Sequence, residues 1–119
     1  VSWPSVITPG SRTDAMIDMT DFFATGIELS KVKSIYSIDG VSFVSALLGR
    51  KPKRTWAFSE RKGRWWVRDQ HFKLYDDGRF VEVSDLKFGK ESLTKGNRTA
   101  TQQIAFMKLK KAQQYMRNH

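Results

Sequence analysis

Apolar positions along this chain keep two different rhythms. Met16, Met19, Phe23 and Ile27 recur at steps of three and four, which predicts an amphipathic helix with those side chains on its inner face. Ser11 or Thr13 can cap its start with Asp14 in the first turn, and Gly26 draws its end to between Thr25 and Ser30. Ahead of it, Pro4, Pro9 and Gly10 leave a short extended piece around Val6 and Ile7. Residues 31–54 read as an irregular connection, with one helical turn at Phe43, Ala46 and Leu47 and a basic bridge at Lys51, Lys53 and Arg54.

From Thr55 the period shortens to two, and strands are predicted at 55–59, 64–69, 71–76 and 79–84. Gly63 supports the first reversal. Asp77-Gly78 predicts a type I′ turn, because both central positions of that turn need positive φ. In the last hairpin Phe72, Leu74 and Phe80 share one face, with Glu82 or Val83 joining them according to register, and His71, Lys73 and Tyr75 take the other. Residues 87–99 are loop by composition. A closing helix follows from about Thr101, its apolar face either Ile104, Met107, Ala112 and Tyr115 or Ala105, Leu109 and Ala112.

A chain of 119 residues, 39% apolar and 13% aromatic, can bury a core without staples. It has no cysteine, which excludes disulfides and thiolate chemistry within the segment. No apolar run approaches the roughly 18 residues of a membrane span, and the opening residues lack the pattern of a signal peptide. The chain begins at Val1 with an apolar Trp3, Val6 and Ile7 that need cover, as expected of a fragment that would self-associate when isolated. The net charge of +9 favours polyanions, but its clusters, at 50–54, 61–64 and 108–111, are spread as a solvated surface would be.

Candidate chemistry is thin. His71 and His119 are far apart and Asp76 and Asp77 fall in a turn, so no metal-ligand spacing occurs. No serine lies in a nucleophile elbow. Trp65 and Trp66 beside Arg64 and Arg68 could stack bases, but neighbouring strand residues face opposite ways, which denies them a common platform. Asn97-Arg98-Thr99 fits the acceptor triplet for N-glycosylation, a pattern common by chance.

Three runs in order resemble the C-terminal part of the sulfatases, arylsulfatase-like members of the alkaline phosphatase superfamily. "SWPSVITPGSRTDAMIDMTDFFAT" is similar to the family's WPG-like turn and D-x-x-P-T helix, matched at Asp21 and Thr25. "IDGVSFVSALLG" resembles DG-x-S-(L/F)-x-P-x-L-x-G, matched at Asp39, Gly40, Ser42, Phe43, Leu47 or Leu48, and Gly49. "WWVRDQHFKLYDDGRFVEVSDL" resembles the late strand pair, matched at Val67, Arg68, Phe72, Lys73, Leu74, Glu82, Asp85 and Leu86. Ala24 and Ser45 stand where the family has proline, Ser84 replaces a tyrosine, and Phe88-Gly89 stands where it has Asp-Pro.

The resemblance implies an α+β fold: a roughly four-stranded antiparallel sheet packed with a C-terminal helix, preceded by an N-terminal helix and an irregular connection. Residues 1–54 would end the large sulfatase domain, and 55–119 would form the C-terminal sheet and closing helix. It implies no catalytic residue here, since formylglycine and the divalent cation, calcium by preference, belong to the N-terminal part, and Ser2-Trp3-Pro4-Ser5-Val6 lacks the arginine of a formylglycine motif. The implied partners are that catalytic domain and, through it, a sulfated small molecule or glycan, in a periplasmic, secreted or lysosomal setting. Trp66, Arg68 and His71 are the expected substrate contacts. The alternatives are a basic nucleic-acid-binding module and a scaffold domain from an inactive sulfatase relative.

Overall fold

The computed structural model describes residues 1–83, 93 and 95–118, and the chain divides into two compact units, Val1–Thr55 and Trp56–His119. Its architecture is α+β, with an N-terminal helix, a four-stranded antiparallel sheet and a C-terminal helix packed on that sheet.

In the first unit the opening is a turn and not the extended piece expected around Val6 and Ile7: both of their N–H groups donate to the Trp3 carbonyl, and Ser5 takes positive φ. Helix α1 spans Thr20–Ser30, starting well after the predicted Ser11 or Thr13 cap. Thr13 does accept a local bond, from the Ala15 N–H at 3.2 Å, but no helix follows it. The start is set by Asp21, whose carboxylate accepts the Asp18 N–H at 2.9 Å and so occupies the backbone ahead of the first turn. Its end, where Lys31 turns left-handed, agrees with the prediction.

The inner face of α1 is also not the predicted one. Met19 and Phe23 are 80% and 66% exposed, whereas Asp21, Ala24 and Thr25 are buried. The reason is a close approach. A Cβ on Gly40 would lie 2.2 Å from the Thr20 carbonyl oxygen, so the connection presses backbone to backbone against the helix and admits only small side chains between them. The expected helical turn forms α2, Val44–Leu47, burying Phe43, Val44 and Ala46.

In the second unit β1 (Ala57–Arg61), β2 (Arg64–Arg68), β3 (Phe72–Tyr75) and β4 (Phe80–Glu82) pair antiparallel in sequence order. The tight two-residue reversal is at Lys62-Gly63, both with positive φ, between the paired Arg61 and Arg64. At Asp77-Gly78 the type I′ expectation fails. Only Gly78 has positive φ, the Gly78 N–H donates to the Tyr75 carbonyl, and the Tyr75 N–H reaches across to Arg79, which makes a three-residue loop. Leu74 therefore pairs with Phe80 and Phe72 with Glu82.

Helix α3, Ala100–Arg117, begins with a capping box: the Thr99 hydroxyl accepts the Gln102 N–H and the Gln102 side chain accepts the Thr99 N–H. Of its two possible faces, the one with Ala105, Leu109 and Ala112 packs on Val67, Leu74 and Phe80, leaving Ile104, Met107 and Tyr115 exposed. Phe80 is the hinge of this core, stacked on Phe72 at 5.2 Å and edge-on to Phe106 at 5.5 Å. Among the described residues no helix is long and apolar enough to cross a membrane. Ser84, Asp85, Leu86, Phe88, Gly89 and His119 lie outside the described residues.

Candidate functional site

Strand alternation sorts the second unit's side chains onto two faces. Phe58, Trp65, Val67, Phe72, Leu74 and Phe80 join the core under α3. Trp66 and Arg68 of β2 lie on the other face, opposite Tyr75 and Lys73 of β3 respectively. Trp65 and Trp66 thus point to opposite sides, as the sequence requires. On the outer face the Lys73 ammonium rests 4.3 Å from the Trp66 ring centre and 4.6 Å from that of Tyr75, and the Arg79 guanidinium lies 4.5 Å from Tyr75. Contacts of this kind orient a cation without neutralising it.

The three expected contact residues are therefore not equivalent. Trp66 and Arg68 share the outer face, half-buried. Arg68 Nε donates to the Asp69 carbonyl at 3.0 Å and Nη2 reaches the Gln70 carbonyl at 3.5 Å. His71 is exposed in the loop before β3, and what is fixed is its backbone, donating to Asp69 Oδ1 at 2.9 Å and accepting from the Val83 N–H at 2.7 Å. Two residues not singled out as contacts complete the arrangement. Lys73 supplies the cation between the rings, and its alternation with Tyr75 was the available signal. Asp69 builds the loop, its Oδ1 also accepting from Phe72 N–H at 2.8 Å and its Oδ2 lying 3.8 Å from the Lys108 ammonium.

Asp77 does turn chemistry, accepting from the Arg79 N–H at 3.0 Å and from Arg79 Nε at 2.9 Å. That backbone bond first, and the arginine charges after it, hold its carboxyl below the ordinary value.

The most buried charge is in the first unit. Asp21 accepts from the Asp18 N–H, from the Val41 N–H at 2.7 Å, from Arg54 Nε at 2.6 Å and from Arg54 Nη2. Thr25 extends the same knot, its hydroxyl donating to the Asp21 carbonyl at 2.7 Å and accepting the Phe43 N–H at 3.0 Å. Burial alone would push the Asp21 carboxyl up; the Arg54 bonds, the two backbone donors and the guanidinium charge outweigh it and hold the carboxyl below its ordinary value. With every lone-pair direction occupied, Asp21 is a clamp and has no capacity left for proton transfer.

Among the described residues no three His, Cys, Asp or Glu side chains come together as a metal centre needs. No protein-family model matches the chain, and no curated protein matches it.

Proposed function

We propose that this chain is the C-terminal part of a sulfatase, a sulfuric ester hydrolase, which packs on a separate catalytic domain, walls its substrate cleft and is inactive alone. The observation that carries the reading is the convergence of the motif residues. Asp21 and Thr25 come from the first resembling run, Gly40 and Phe43 from the second, and they meet in one hydrogen-bonded knot across a close backbone approach. Residues that match a family pattern for independent reasons would have no cause to meet in this way. The late run supports it too, folding into paired strands that carry Trp66 and Arg68 outward.

In this reading the chemistry of the sulfate belongs to the other domain, where formylglycine and a divalent cation would act. This chain's share is to shape the approach, with Trp66, Arg68 and His71 meeting the part of the substrate that is not sulfate. A basic surface also raises the local concentration of an anionic substrate. The nucleic-acid alternative needs both indoles on one platform, which the opposite orientations of Trp65 and Trp66 deny it.

Reading the coding sequence 5′ of the Val1 codon tests the proposal. A cysteine or serine in a C/S-x-P-x-R context, with aspartates for a cation, is the expected result. An initiator codon directly before Val1 would overturn it, and a frame that is similar but lacks the nucleophile would favour the inactive relative.

A further inference from the structure

Helix α3 has a second face that the core does not use. Ile104, Lys108, Lys111 and Tyr115 follow one another at steps of four, three and four, with Met107 beside them. These side chains form one stripe, turned away from the Ala105, Leu109 and Ala112 face that packs on the sheet. Ile104, Met107 and Tyr115 are 70%, 58% and 56% exposed. The Tyr115 ring is braced edge-on by Trp56 at 6.4 Å, which fixes that end of the stripe.

The same helix carries Lys108, Lys110, Lys111 and Arg117, and neither aspartate nor glutamate. Among the described residues Asp69 lies 3.8 Å from the Lys108 ammonium, Lys110 stands 5.9 Å from the Phe106 ring centre, and no carboxylate comes within ion-pair reach of Lys111. Large apolar and basic side chains sharing one exposed stripe narrow the kind of partner. A helix packing along it would need a continuous apolar seam, which Lys108 and Lys111 interrupt. A nucleic acid would engage the lysines but leave Ile104 and Met107 in water. A lipid surface takes both, because acyl chains cover the apolar side chains while lysine stems lie along them and carry the ammonium groups up to the headgroups.

We propose that the outer face of α3 is a docking surface for an anionic phospholipid bilayer. The helix lies in the plane of the interface, with Ile104, Met107 and Tyr115 directed into the bilayer and Lys108 and Lys111 at the headgroups. It rests on the membrane and does not cross it, in keeping with a helix too polar to span. Trp66 and Arg68 lie on the face of the sheet opposite α3, so docking by this helix leaves them clear. The surface belongs to one helix of this chain and is present or absent whatever the upstream coding sequence contains.

The test is co-sedimentation of the full 119-residue chain with vesicles of phosphatidylcholine alone and of phosphatidylcholine containing about one part in three phosphatidylserine. Binding to the mixed vesicles, weakening as salt is raised, is expected, with little binding to the neutral ones. Lys111→Gln should weaken it about fivefold. Ile104→Ser combined with Met107→Ser should weaken it about tenfold or more; both positions are exposed, so the circular dichroism of the variant should match that of wild type. Phe58 joins the core under α3, so by strand alternation Arg61 faces the other side of the sheet, and Arg61→Gln, which removes an equal charge there, should leave binding within about twofold. Failure to bind the mixed vesicles, or equal binding to neutral ones, would overturn the surface. So would equal losses in Lys111→Gln and Arg61→Gln, binding indifferent to the paired serine substitutions, or tighter binding of a short single-stranded DNA or an acidic amphipathic peptide than of the mixed vesicles.

Discussion

At the scale of single residues the molecule is governed by a few nonlocal fits. Asp21 is fully buried and its partner Arg54 nearly so, 33 positions along the chain. Removing one member leaves the other charge buried and unpaired, so Asp21→Asn and Arg54→Met should each cost about 3–5 kcal/mol in urea unfolding, and the double variant should cost less than the sum. The pH dependence follows from the direction of the Asp21 shift. Because its folded value lies below the ordinary 3.8, the ionised carboxylate contributes its full stability above that pH and loses it as pH falls through the lower folded value. The stability gap between wild type and Asp21→Asn should therefore be constant at neutral pH and narrow as the solution is acidified below that range.

Two glycines make the complementary point. Gly40→Ala would place a methyl group 2.2 Å from the Thr20 carbonyl oxygen, and the forced separation of connection and helix should cost about 1–3 kcal/mol. Gly26 sits inside α1 with open space around it, so Gly26→Ala should stabilise by about 1 kcal/mol. Thermal or denaturant melting of the two variants reads the opposite signs directly.

At the scale of elements, legibility in the sequence depended on whether the decisive interaction was local. The four strands declared themselves through alternation over Trp65–Tyr75, and each lies within two residues or so of its predicted bounds. Helix α3 was legible as a helix but not as a face, since Ile104, Met107 and Tyr115 are as apolar as the residues that pack. Leu109 decides it: fully buried against the sheet, its truncation to alanine should cost about 2–5 kcal/mol, whereas Ile104→Ala at the exposed face should cost little.

Helix α1 was misread for the same reason in reverse. Its largest apolar side chains, Phe22 and Phe23, stay more than half exposed, Phe22 lying edge-on to Phe43 at 5.1 Å, because the inner face is fixed by Gly40 and by a carboxylate whose partners lie outside the helix. No periodicity within the helix could report that. Of the candidate site, Trp66 and Arg68 were legible as one face of a strand. Lys73 lay on the neighbouring strand of the same face, and its role needed the register that pairs it with Arg68. His71 fell in a loop, where alternation carries no information.

At the scale of the whole molecule, the charge and the structure divide the work between the two units. The first holds a dense hydrogen-bonded knot and leaves apolar helix surface uncovered. The second buries its core under α3 and turns cations and rings outward. Such a division suits a part that docks by one region and meets an anionic substrate by another, which is the proposed role beside a sulfatase catalytic domain. The measurement that tests this most directly is hydrolysis of 4-nitrophenyl sulfate by two preparations, the 119-residue chain alone and the product of the whole coding sequence. The account predicts nitrophenol release by the whole product and none by the chain alone. Turnover by the isolated chain, or none by a whole product that carries a formylglycine motif and its cation, would contradict it.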